Sequence, residues 1–219
     1  GRAAQHSQSL EAWFAHIPGL KVVMPSTPYD AKGLLKMSIR DNNPVIFLEH
    51  KLLYGATSPG GKAKSVVDDL DQTFRPAPEE EYMIELGKGD VKRQGEDVTV
   101  VAVGYMVHRA VQAAKIVAEE GIECEIIDPR TIVPLDKEII LNSVKKTGRL
   151  VIVTESAGCC GFAAEVAAVA VEEGLFDLDA PVKRVCAKES PIPFAPCCEA
   201  DVLPDTEKIV KAVKEICRK

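Results

Sequence analysis

From Asp97 to the C-terminus the sequence alternates short apolar runs with amphipathic stretches, and this alternation restricts the fold more than any other feature. Val98–Val103, Ile122–Ile127, Leu150–Val153 and Val182–Cys186 have the apolar, β-branched composition of buried strands. Met106–Glu120 reads as a helix, with Val107, Ala110, Val111, Ala114 and Val117 on one face and His108 on the polar, solvated side. Gly121 stops that helix. Asp136 is placed to cap Lys137–Val144, Phe162–Glu172 forms the next helix, and Asp205 or Thr206 opens the last. Strands that alternate with helices imply a mostly parallel sheet covered on both faces, a three-layer α/β/α domain with right-handed crossovers.

The front of the chain has a different texture. Ser7 or Ser9 can cap a helix carrying Leu10, Trp13, Phe14 and Ile17, with Glu11 near its positive start. Pro18-Gly19 ends it, and Lys21–Met24 follows as a short strand. Asp30 begins a helix over Ala31–Arg40 with Leu34, Leu35 and Ile39 on one side. Asp41-Asn42-Asn43-Pro44 is turn chemistry, and Val45–Leu48 is a second strand. From Lys51 to Glu96 the pattern dissolves into Gly, Pro and charge, with Tyr82-Met83-Ile84 as a candidate strand. So long an irregular stretch reads as a connection between domains. The expected organisation is one domain end over 1–58, a connection over 59–96 and a second domain over 97–219. Because no Met opens the chain and Gly1–His6 runs straight into a helical pattern, it is expected to be a piece with further residues upstream.

Composition narrows the functional classes. Hydrophobic residues make up 46% and charged residues 27%, which suits a soluble globular protein with a real core. A net charge of −6 argues against a nucleic-acid partner, and no apolar run has the length of a membrane span. The seven cysteines (124, 159, 160, 186, 197, 198 and 217) show no disulfide framework and point to a reducing compartment of cytoplasmic type. Cys124 and Cys186 fall in strand-like runs as small hydrophobes. The adjacent pairs Cys159-Cys160 and Cys197-Cys198 are poorly spaced for zinc, whose paired ligands usually stand two to four residues apart. No G-x-G-x-x-G loop follows the first strand of the second domain, and neither a P-loop nor a G-x-S-x-G elbow occurs. His6, in Ala4-Gln5-His6-Ser7-Gln8-Ser9, is the residue best suited to move a proton near neutral pH; His16 and His50 have weaker contexts. Residue patterns alone stop at two α/β pieces.

The run His6-Ser7-Gln8-Ser9-Leu10-Glu11-Ala12-Trp13-Phe14-Ala15-His16-Ile17-Pro18-Gly19 resembles the beta subunits of pyruvate, branched-chain 2-oxo acid and acetoin dehydrogenases. The likeness continues through Pro25–Pro28, Asp30–Leu35 and Ile39–Glu49, while Gly104–Val107 and Asp128–Asp136 look like the C-terminal domain of the transketolase superfamily. The resemblance implies the end of a thiamine-diphosphate pyrimidine-binding domain followed by a transketolase C-terminal-like domain. It implies oxidative decarboxylation of a 2-oxo acid (pyruvate first) or cleavage of acetoin, with acyl transfer to lipoamide. His6 matches the family's active-site histidine, which can give a proton to the departing lipoyl sulfur. The cofactor-activating glutamate would lie upstream, and thiamine diphosphate and magnesium would be held with an alpha subunit, so no cofactor-binding residue is assigned here. Ser38, Ile39, Asp41 and Asn43 match a potassium site, against the plain alternative of an Asx turn. Asp177 and Asp179 resemble the acidic surface that docks a lipoyl acyltransferase core. A second beta subunit and an alpha subunit complete the implied heterotetramer, in the bacterial cytoplasm or the mitochondrial matrix. A catalytically silent dimerisation and docking module is the competing expectation.

Overall fold

The computed structural model describes residues 4–54 and 77–218, so the expected boundary at 58 and the Ser58–Gly61 punctuation lie outside the described residues. The second half forms a five-stranded sheet of β3 (Asp90–Arg93), β4 (Val98–Ala102), β5 (Cys124–Asp128), β7 (Leu150–Ala157) and β8 (Lys183–Ala187). Its spatial order is β3-β5-β4-β7-β8; β5, β4, β7 and β8 are parallel, and β3 joins antiparallel at the edge of β5. Successive side chains of a strand face opposite ways, and this divides the core. Val98, Val100, Val151 and Val153 pack under α3 (Tyr105–Ala118) and α7 (Thr206–Cys217). Val101, Val103, Ile127 and Ile152 pack under α4 (Lys137–Thr147) and α5 (Phe162–Gly174). Thr99, a hydroxyl within this apolar strand, shares hydrogen bonds with Ser143 (2.7 Å) and Thr147 (2.8 Å) of α4, so its burial leaves no group unsatisfied. The three-layer α/β/α architecture is the one expected from the strand–helix alternation.

The helix ends follow their sequence signals where the signals are local. Asp136 accepts from Ile139 N at 3.2 Å and Asp205 from Lys208 N at 2.7 Å, each capping its helix, while Gly148 closes α4 in the left-handed conformation.

The first half packs against this domain by sharing a sheet with it. β1 (Lys21–Val23) pairs in parallel with β2 (Val45–Phe47) and antiparallel with β6 (Thr131–Val133), a strand supplied by the second half. The chain leaves the large sheet at Asp128 and enters the small one at Thr131, turning through Arg130, whose φ of 60° is costly for a residue with a side chain. α2 (Pro28–Arg40) covers the small sheet, its first turn capped by Thr27 accepting from Asp30 N at 3.1 Å.

Several expectations are corrected. α1 (Glu11–Ala15) starts after Leu10 with no side-chain cap from Ser7 or Ser9. Its predicted apolar stripe is split: Trp13 is 70% exposed and Ile17 half exposed, whereas Phe14 packs against the core and Glu11 is buried. Leu35 and Ile39 of α2 are exposed too. Strand β3 lies in the stretch read as a connection, because Gly95 brings that stretch against the backbone of β5. Tyr82–Ile84 is not a strand; the Tyr82 ring stacks on Tyr29 at 4.6 Å and Ile84 seats over Gly33 of α2. A short helix α6 (Pro196–Val202) carries Cys197 and Cys198, where no helix is expected from the pattern.

A Cβ on Gly95 would overlap the carbonyl carbon of Cys124 and the amide nitrogen of Glu125. Backbone cannot yield as a flexible side chain can, so Gly95→Ala is expected to cost about 1–3 kcal/mol or more. Urea unfolding of the two proteins checks this; an unchanged midpoint would contradict the packing of β3 on β5.

Candidate functional site at the carboxyl ends of the strands

In open α/β sheets, ligands bind beyond the carboxyl ends of the strands. Here those ends collect most of the buried charge of the described residues. Asp128 ends β5, Gly104 and Tyr105 follow β4, and Thr154–Ser156 lie at the end of β7.

The first cluster holds the two halves together. Asp30, fully buried in the first turn of α2, accepts from Arg130 Nε at 2.7 Å, Lys92 Nζ at 2.6 Å and Thr27 Oγ1 at 2.6 Å. Asp128 accepts from Arg130 N at 2.8 Å and from Ser26 Oγ, with Lys92 Nζ at 3.7 Å. Asp90 pairs with both Lys92 and Arg130 at 2.9 Å. Three carboxylates thus face two cations. Burial opposes ionisation of Asp30, but Lys92 and Arg130 outweigh it and hold that carboxyl below its ordinary range. Burial dominates at Asp128 and, with Asp30 beside it, pushes its carboxyl up to about 6. Burial also pulls on Lys92, yet Asp128, Asp30 and Asp90 together keep it charged.

His108 extends the cluster. It is buried, and its Nε2 lies 2.6 Å from Ser26 O. Burial lowers its pKa, so the neutral ring donates to that carbonyl. The solvated position expected for His108 is corrected: the helix face that meets Ser26 is polar because its partner is polar, not because water covers it.

A second group surrounds the end of β7. His50 Nε2 lies 2.8 Å from Glu155 Oε2, the His50 ring stacks on Tyr105 at 5.1 Å, and His50 Nδ1 accepts from Leu52 N at 3.3 Å. Thr154 Oγ1 donates to the buried Glu11 of α1 at 3.3 Å. His50, Glu49 and Tyr54, with Pro25–Pro28, Ala31 and Leu53, line a cavity of about 220 Å³. Glu11 and His50, both from the first half, are therefore anchored on one strand of the second.

The residues singled out from sequence lie in three separate places. His6 is exposed and ends a short 3-10 turn, Ala4–His6, just before α1. Ser38, Asp41 and Asn43 meet at the end of α2, with the Ile39 side chain exposed. Ser38 O accepts from Asp41 N at 3.3 Å, and Asp41 Oδ1 accepts from Asn43 N at 2.8 Å and Asn43 Nδ2 at 3.0 Å. Lys21 binds the other Asp41 oxygen, and this bond, with those from Asn43, lowers the Asp41 carboxyl to about 2. One Asp41 oxygen is thus engaged in an Asx turn and the other by the Lys21 ammonium. Asp177 ends a 3-10 turn, Leu175–Asp177, next to a fully exposed Phe176, and Asp179 N donates to Gly148 O at 2.7 Å. Among the described residues no group of three or more His, Cys, Asp or Glu could hold a metal ion, and no helix among them is long and apolar enough to cross a membrane.

Sequence reasoning passed over Lys92 and Arg130 and their pairing with Asp30 and Asp128. One signal was available: Asp128 and Arg130 directly follow the buried run Ile126-Ile127, where a charge needs a partner.

Comparison with known proteins gives a consistent result. Residues 87–209 match the transketolase C-terminal domain, and residues 2–57 the transketolase pyrimidine-binding domain. Over 214 residues, 98% of its length, the chain is 45% identical to the beta subunit of acetoin:2,6-dichlorophenolindophenol oxidoreductase of Bacillus subtilis, covering 58% of that protein. It is 44% identical over 215 residues to the 2-oxoisovalerate dehydrogenase subunit beta of Bacillus subtilis, with 98% of this chain and 61% of that one covered. Against the pyruvate dehydrogenase E1 component subunit beta of the same organism it is 43% identical over 212 residues, covering 96% and 60%. A solved structure of a split gene transketolase, an inactive beta4 tetramer, superposes with a TM-score of 0.75 at 25% identity, covering 98% of this chain and 63% of the other. The chain therefore spans 58% to 61% of the length of these curated relatives.

Asp128 gives a pH signature. A carboxyl raised from 3.8 to about 6 on folding stabilises the fold most when protonated, and that contribution is lost as pH rises through about 6. His108, with a lowered pKa, acts in the opposite sense over an overlapping range. The difference between Asp128→Asn and the parent therefore isolates the carboxyl. Urea midpoints should show the variant gaining on the parent, on the order of 1–3 kcal/mol, as pH rises from about 4 to about 7. A pH-independent difference would contradict the assigned burial of charge.

Proposed function

We propose, from the premise that this chain belongs to the transketolase C-terminal domain family, that it acts within the beta subunit of the decarboxylase component of a 2-oxo acid or acetoin dehydrogenase complex. The reaction is thiamine-diphosphate-dependent oxidative decarboxylation of a 2-oxo acid (pyruvate first), or acetoin cleavage, with acyl transfer to lipoamide. The observation that carries this reading is the near-complete alignment, at 43% to 45% identity, with beta subunits of three such enzymes.

The residues fit a shared site. By the resemblance, the cofactor's magnesium and diphosphate are held with an alpha subunit. When bound, thiamine diphosphate would supply a nucleophilic carbon for the substrate carbonyl and a cationic ring that takes up the electron pair released by bond cleavage. This chain supplies His6. An exposed imidazole on a turn fixed by a short, docked helix can give its proton to the lipoyl sulfur that leaves as the acyl group transfers. The dock is Glu11 on Thr154, with Phe14 against the α4–α5 face of the core. Trp13 and Ile17, outward on the same segment, support an alpha subunit covering that surface.

The similar split gene transketolase is an inactive tetramer of beta chains; by that likeness this chain associates with a second copy and is inactive until paired with an alpha subunit. Phe176, fully exposed between Leu175 and Asp177, supports docking of a basic acyltransferase-core domain on the acidic residues Asp177 and Asp179. Potassium has weaker support, since a cation at Asp41 must displace Lys21.

The test uses the full-length beta subunit with its alpha subunit and thiamine diphosphate. Dye-reduction rates should show one clear preference among pyruvate, 2-oxoisovalerate and acetoin. His6→Ala should reduce lipoamide acylation about 100- to 10,000-fold while dye reduction stays partly active. No turnover on any substrate by a verified heterotetramer would overturn the enzyme reading, and equal small losses in both assays would remove His6 from its role.

A further inference from the structure

The two adjacent cysteine pairs are unused by the proposed reaction, and their geometry has a chemistry of its own. In each pair both residues are exposed and the two sulfurs stand 3.9 Å apart, Cys159 with Cys160 and Cys197 with Cys198. All four are free thiols. Cys160 adopts a φ of 50°, the left-handed conformation that side chains rarely take, in the turn between β7 and α5. That turn is pinned on both sides: Gly158 O accepts from Arg184 Nη1 at 2.8 Å, and Gly161 is buried against the backbone of Ala157. Cys197 and Cys198 are adjacent on α6, whose backbone is tied to Lys188 through Val202 O at 3.0 Å.

Two alternatives are weak on physical grounds. Neighbouring α-carbons are about 3.8 Å apart across a trans peptide, below the range of about 4.4–6.8 Å that ordinary disulfides span. An adjacent-cysteine disulfide is therefore strained and readily reduced. Zinc needs about four ligands, and no group of three or more candidate ligands occurs among the described residues. What remains is an electrophile that is satisfied by two soft sulfurs held close together.

We propose that Cys159–Cys160 and Cys197–Cys198 are each a two-thiol site for monosubstituted trivalent arsenicals. The arsenic–oxygen double bond of an R–As=O reagent breaks, and two arsenic–sulfur bonds form on one pair. The two thiol protons leave with the oxygen as water. Arsenic stays trivalent and no electrons are exchanged. Holding both sulfurs beforehand makes the second bond intramolecular, so the chelate outlasts competition by a monothiol.

The experiment treats the reduced full-length subunit with phenylarsine oxide, then with excess 2-mercaptoethanol, and reads intact mass. Two retained phenylarsenic adducts per chain are expected, both released by a dithiol such as 2,3-dimercaptopropanol. Cys159→Ser or Cys160→Ser should each leave one adduct, Cys197→Ser or Cys198→Ser likewise, and Cys159→Ser with Cys197→Ser none. Cys186→Ser, which removes the half-buried thiol near Gly158, should leave both. Loss of all adducts to the monothiol overturns the proposal, as does retention in the double variant. A single adduct in the parent overturns it for whichever pair the variants show to be silent.

Discussion

Burying several ionisable side chains at a junction between two sheets is unfavourable unless each finds partners that replace water, and the junction here is organised by that demand. Asp30 enters from the first turn of α2, Lys92 and Asp90 from β3, and Asp128 and Arg130 from the switch between β5 and β6. None of these segments can move alone without leaving an uncompensated charge behind. The strained backbone of Arg130 is held by the same arrangement: its side chain serves Asp30 and Asp90 while its amide serves Asp128. A residue in that conformation persists where its surroundings over-determine it.

The rest of the seam follows. With the switch fixed, β6 lies beside β1, and Met24 N reaches Arg130 O at 2.9 Å. Met24 then packs against Gly104, where a Cβ would collide with its methyl carbon. Ser26 is held between Asp128 and His108, so the loop before α2 is tied to α3 as well as to β5. These ties set the walls of the cavity beside His50 and place Glu11 over β7. Precise placement of the first half on the second is what the proposed shared site requires, because small displacements of a positioned group cost much of its effect.

Strand–helix alternation carried the second domain to within a few residues at most element ends, since buried parallel strands announce themselves by composition and helices by period. The first half was less legible for a physical reason. Leu10, Trp13, Phe14 and Ile17 have helical spacing, but α1 is too short to present them on one face, and its buried anchor is the carboxylate Glu11. Lys92 lay within a run of charges that looked like connection because β3 is an edge strand with little apolar demand. His108 followed the polar face of α3, and nothing local says that a backbone carbonyl 82 residues away in sequence will meet it. Long-range polar pairing leaves no periodic trace.

His6 shows the complementary case. Its importance came from resemblance, and the described structure gives it no partner-rich pocket. An outward-facing tryptophan makes poor sense in an isolated chain, since so apolar a side chain usually meets another apolar surface. It makes sense in half of a composite site. The same surface carries an anchoring network on its inner side, Glu11 with Thr154 and His50 against Glu155 and Tyr105. Rigid support underneath with an exposed side chain above is the arrangement that the role proposed for His6 calls for.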